Sequence, residues 1–184
     1  MKEICKYIRY LPAVSKPLSA DVYFIDGEKY CYIFDVGNNE EALEAISKVE
    51  KEKIIVISHY HKDHTGNIDN VDCKTLYVGD LTYETIQKGI IVEDSIIIQD
   101  GLKIEIRHCT SPHVNGSLVM IINNEYALLG DVYSVRDIYD EKLAYKMIDE
   151  LKQINTKYFV NSHLKDNVVE KETLILELSR YFKY

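Results

Sequence analysis

Four consecutive apolar residues, Ile54 to Ile57, run into a cluster of ligand-type side chains, His59-Tyr60-His61-Lys62-Asp63-His64. A wholly apolar run this short is what a strand buried on both faces requires. Such a strand must lie in a sheet that is covered on both sides. The chain supplies the cover. Ala42, Ala45, Ile46 and Val49 fall at helical spacing behind Asn38, a residue type that caps helices. Leu143, Met147, Leu151 and Ile154 make a second stripe, and Leu174, Ile175, Leu178 and Phe182 a third. Strand-like runs occur at Asp21 to Ile25, Tyr30 to Val36, Thr75 to Val78, Ser95 to Ile98, Leu102 to His108, Ser117 to Ile122, Tyr126 to Leu129 and Lys157 to Val160. Asp26-Gly27 and Asn123-Asn124 are hairpin signals between neighbouring runs. A helix is also expected from Leu81 to Gln87. Each half of the chain thus reads strands, helix, strand, helix. The fold class is α/β, with sheets packed together and helices on their outer faces.

A chain of 184 residues suits one domain, 1–184, and 46% hydrophobic residues are enough for its core. No apolar run has the length of a membrane span. The N-terminus lacks the apolar core and cleavage site of a secretory signal, so a cytoplasmic location is expected. Thirty acidic against 22 basic residues give a net charge of −8. That balance opposes a nucleic-acid partner, which would need clustered Lys and Arg. A small-molecule substrate is expected instead. Cys5, Cys31, Cys73 and Cys109 are widely spaced with no Cys-x-x-Cys pair, and read as buried, reduced thiols.

The chemistry concentrates in the histidines. Three of only six fall within residues 59–64. Residues two apart in an extended chain point the same way, so His59 and His61 can reach one ion together. After a turn, supplied by Thr65 and Gly66, Asp63 and His64 can face a second. Neutral imidazole and carboxylate suit zinc and similar ions. His113 sits in a turn-rich break between strands, Asp131 follows the Tyr126 to Leu129 run, and His163 follows Lys157 to Val160. All lie where loops gather at one rim of a sheet. His108 precedes Cys109 and reads as structural.

The ordered set His-x-His-x-Asp-His at 59–64, then His113, Asp131 and His163, resembles the metallo-β-lactamase superfamily, as does Asp35-Val36-Gly37 after a hairpin. The resemblance implies a four-layer αβ/βα sandwich with two divalent metal ions at one edge, zinc first, with iron or manganese as alternatives. It assigns His59, His61 and His113 to one ion, Asp63, His64 and His163 to the other, Asp131 as a bridge, and Asp35 to the outer shell. Asp131 stands where the true class B lactamases use a cysteine. This is similar to the glyoxalase II, lactonase and phosphodiesterase branches, although the C-terminal helical domain of glyoxalase II has no counterpart here.

Two cations sharing a water lower its pKa from about 15.7 toward 7. The expected activity is therefore hydrolysis of a small ester, thioester or lactone by metal-bound hydroxide, with Asp63 either carrying the proton or serving only as a ligand. The alternatives are a phosphodiesterase, with Lys62, Arg136 and Lys165 as phosphate partners, an iron-dependent oxidoreductase, or a non-catalytic scaffold. Loops around Tyr10 to Ser19, Tyr60 and Tyr133 to Tyr139 are expected to form the substrate pocket.

Overall fold

The computed structural model describes residues 1–134 and 140–184. Strands β1 (Lys2–Cys5) and β2 (Ile8–Leu11) open the chain, and β3 (Val14–Ser15) and β4 (Leu18–Ser19) form a small separate hairpin. Next come β5 (Val22–Asp26), β6 (Tyr30–Phe34), helix α1 (Glu40–Ser47), β7 (Glu52–Val56), the one-turn helix α2 (Lys62–Thr65), β8 (Thr75–Val78), α3 (Asp80–Ile86) and β9 (Ile90–Ile91). Within the first sheet the order is β1-β2-β5-β6-β7-β8-β9, with β6 to β9 parallel. The second sheet holds β10 (Ser95–Gln99), β11 (Lys103–Cys109), β12 (Ser117–Ile122), β13 (Tyr126–Gly130), β14 (Tyr158–Asn161) and β15 (Val168–Glu170), in that order. Helix α4 (Glu141–Gln153) leads into β14, and α5 (Lys171–Tyr181) follows β15.

Alternation along the strands builds four layers. Tyr23, Ile25, Tyr32, Phe34, Ile54 and Val56 point into a core shared with Ile104, Ile106, Leu118, Met120 and Leu128 of the second sheet. Their neighbours Phe24, Ile33, Ile55 and Ile57 face the other way, against Ala42 and Ile46 of α1. On the far side Val119, Ile121, Ala127 and Phe159 meet Met147 and Leu151 of α4 and Leu174 and Leu178 of α5. The result is the helix–sheet–sheet–helix sandwich expected from the sequence.

Three local readings change. The cap of α1 is Asn39, not Asn38: its Oδ1 accepts from Ala42 N at 2.8 Å, while Asn38 N donates to Ser19 Oγ at 2.9 Å. The turn placed at Thr65-Gly66 is the end of a short helix whose N-cap is His61. Of the four thiols, Cys31 and Cys109 are buried, but Cys5 and Cys73 are only partly so. Among the described residues no helix is long and apolar enough to cross a membrane.

Candidate metal centre

Strand polarity brings the ligand-type residues to one rim. β6, β7, β13 and β14 all end there, delivering Asp35, His59, Asp131 and His163, and antiparallel β12 begins there, just after His113. The two sheets close tightly at this point. Gly130 has φ 58°, and a Cβ on it would lie 2.7 Å from Ser58 Cβ. Only glycine meets both demands. Leu118 N also donates to Ser58 O across the sheets at 2.8 Å.

All seven residues singled out in the sequence converge. His59, His61 and His113 form one group of potential donor atoms, Asp63, His64 and His163 a second, and His59, His64 and Asp131 a third that straddles them, each group spanning no more than 4.8 Å. Asp131 Oδ2 is central, 3.6 Å from His64 Nε2 and 3.8 Å from both His113 Nε2 and His163 Nε2. No cysteine joins these groups among the described residues.

Two features show that this set fits cations. His61 Nδ1 offers one proton or one lone pair, yet His59 Nε2 faces it at 2.9 Å and His113 Nε2 at 3.1 Å. A cation accepts a lone pair from all three nitrogens. Second, His64 Nε2 is fully buried and has no hydrogen-bond partner, with Asp63 and Asp131 carboxylate oxygens at 3.5 and 3.6 Å, beyond hydrogen-bonding reach. A buried orphan donor or acceptor is costly, and a metal ligand is one of the few roles that justify it.

The electrostatics agree. Burial, reinforced by His64, pushes His59 down to about 2, so it is a neutral imidazole at physiological pH. Burial also works against charge on His64, but the Asp35 and Asp131 carboxylates outweigh it and hold His64 up at about 10. Without metal, that proton neutralises the carboxylates. Burial tends to raise Asp63, yet the His163 hydrogen bond at 3.0 Å and the His64 charge keep it ionised, well below the usual carboxylate range. Asp131 is likewise held low against burial, chiefly by His64.

A second tier orients the donors. Asp35, at φ 61° and fully buried, accepts from Ser58 N at 2.7 Å and Ser58 Oγ at 2.8 Å, and contacts His64 Nδ1 at 2.7 Å. Ser58 Oγ also meets His59 Nδ1 at 3.0 Å. With their Nδ1 atoms engaged, His59 and His64 present Nε2 inward. His163, at φ 62°, is held by Asp21, whose carboxylate accepts from His163 N at 2.8 Å and Ser162 Oγ at 3.1 Å. Sequence reasoning missed Ser58, Asp21 and Ser162. Asp21 was read as a strand residue, and only its charge inside an apolar run hinted at more.

The other expectations fall variously. His108 stands apart and contacts the Val92 carbonyl. Tyr10 is core, stacked on Tyr23 at 5.5 Å, rather than a pocket residue. Tyr60 packs edge-on against His61 at 5.0 Å. Lys62 and Lys165 are exposed. Arg136 and Tyr139 lie outside the described residues.

A sequence profile of the metallo-beta-lactamase superfamily matches residues 15–72, which include the His-x-His-x-Asp-His segment. No curated protein matches in sequence. Solved structures agree over almost the whole chain. A metallo-beta-lactamase from Pontibacter korlensis superposes with a TM-score of 0.76 at 16% identity, covering 97% of this chain and 96% of its own. An archaeal superfamily protein from Sulfolobus tokodaii gives 0.71 at 17% identity, covering 96% and 86%. A chemotaxis sensor solved with a peroxy diiron species gives 0.72 at 14% identity, covering 98% and 92%. The chain therefore has the metallo-beta-lactamase superfamily fold, an α/β sandwich, and carries at its rim a metal-binding architecture consistent with binuclear metal-dependent catalysis.

Proposed function

We propose that the chain is a binuclear metal-dependent hydrolase of a small ester, thioester or lactone. The observation that carries this reading is the pair of donor triads joined by a third through Asp131. His59, His61 and His113 would hold one ion, Asp63, His64 and His163 the other, and Asp131 would serve both. Bound there, two divalent ions supply Lewis acidity and bring the pKa of water toward 7. The chain's own residues do the rest. Asp63 is partly exposed at the edge of the donor cluster, and its carboxylate would take a proton from the attacking water and return it to the leaving group. The water oxygen bonds to the acyl carbon, the C–O or C–S bond breaks, and the alcohol or thiol leaves with that proton. Zinc heads the candidate ions because histidine nitrogen and carboxylate oxygen make up the whole donor set.

Elemental analysis of the purified protein, followed by hydrolysis of thioester, lactone and phosphodiester probes, tests the reading. Two ions per chain and turnover of acyl probes are expected, with activity lost on chelation. Asp131→Ala should lose an ion and more than about 100-fold in turnover, since even outer-shell partners of a metal cost 10–100-fold. Full activity in a metal-free preparation refutes the proposal. A second reading, iron with oxidative chemistry, draws support from the donor set, which also suits iron, and from the shared fold of the diiron sensor. A visible absorption band with stoichiometric iron would select it.

A further inference from the structure

A cavity of about 510 Å³ adjoins the donor cluster, within the ordinary size range of small-molecule sites. Asp131 and His163 belong both to its wall and to the donor groups, so whatever fills it touches the reacting centre. Its other side is one face of α5. Leu174, Leu178 and Tyr181 recur at helical spacing there, and Leu174 and Leu178 are buried. At the mouth, Leu164 and Tyr181 leave apolar surface bare, 45% and 62% exposed. Bare apolar surface rimming a cavity beside a reactive cluster marks a ligand groove.

The charges on the wall narrow the ligand. Among the described residues that line the cavity there is no lysine or arginine, and beyond the donor residues the one carboxylate among them is Glu177. Away from the donor residues a hydrocarbon would replace water against leucine and tyrosine side chains, whereas a carboxylate or phosphate there would meet Glu177.

We propose that this cavity seats the uncharged acyl chain of the substrate, a saturated chain of medium length whose carbonyl lies against Asp131 and His163. This rests on the hydrolase reading above and specifies its substrate class.

The test uses zinc-loaded protein and p-nitrophenyl esters from acetate to octanoate. Each buried methylene contributes about three- to fourfold in binding. The kcat/KM for octanoate should therefore exceed that for acetate by at least about 100-fold, allowing for incomplete burial. Leu164→Asp and Tyr181→Asp change exposed positions that the fold tolerates, and each should cut the octanoate-to-acetate ratio by about tenfold or more. If acetate is hydrolysed but the ratio is flat, the cavity assignment fails and the hydrolase reading stands. A parallel measurement needs no metal. Octanamide added to metal-free protein should shift the methyl NMR signals of Leu164, Val169, Leu174 and Leu178. The methyls of Ile97, on the opposite edge strand, should stay in place. Shifts that reach Ile97, or no shifts, overturn the assignment. Octanamide in the cavity without turnover of any ester, thioester or lactone probe supports the apolar site and overturns the hydrolase reading.

Discussion

At His163 a non-glycine residue occupies the left-handed region, and Asp21 holds it there from 142 positions away in sequence. Asp21→Ala removes the acceptor for His163 N and for Ser162 Oγ. The Asp63–His64–His163 group should then bind metal about 10–100-fold more weakly, while the His59–His61–His113 group keeps its affinity. Chelator competition, which resolves two successive affinities, measures this. Asp21→Asn retains an acceptor oxygen and should restore most of the loss. His64 gives a pH signature. In the metal-free protein its value is about 10 against 6.5 for an ordinary histidine. Protonation of His64 thus stabilises the fold fully below about 6.5, and the benefit is lost as pH rises through 10. Metal-free protein should soften over that interval in denaturant titrations. Because a bound cation displaces the proton, metal binding at pH 7.5 should release it, seen as a calorimetric enthalpy that varies with buffer.

Among the elements, the strands and helices that bury whole faces were legible from sequence. Thr75–Val78 and Ser117–Ile122 were read with their observed limits, and α4 and α5 followed from their leucine stripes. The two-residue strands β3, β4 and β9 were not, because so short a segment shows no period. Helix α2 was missed for a related reason: its four residues are Lys, Asp, His and Thr, and what they are used for is orientation rather than burial in an apolar stripe. The seven residues that converge at the rim could be read because their residue types are rare and their order is distinctive. Asp21 and Ser58 could not, since a side chain that braces a ligand through one hydrogen bond leaves no spacing to detect. Gly130 was likewise noticed only as a neighbour of Asp131. Gly130→Ala should cost at least about 2 kcal/mol, by combining left-handed strain with a clash against Ser58. A lowered urea midpoint with an unchanged slope would record it.

For the molecule as a whole, each donor group draws two members from the segment between β7 and the end of α2 and one from the ends of strands in the second sheet. The ions would bind the folded chain alone. At a hundredfold excess over its dissociation constant each ion should add about 2.7 kcal/mol, raising the melting temperature by about 5–10 °C per site, with the gain abolished by chelator. Differential scanning at several zinc concentrations checks it. The net charge of −8 would be eased by the same step.

That two-plus-one division makes the centre a clasp. Prising the sandwich halves apart would strip every ion of a ligand at once, so under mechanical load, in an optical trap for instance, the loaded protein should give way in one event at higher force. The stripped protein should yield earlier, and the difference would measure how firmly the chemistry staples the architecture shut.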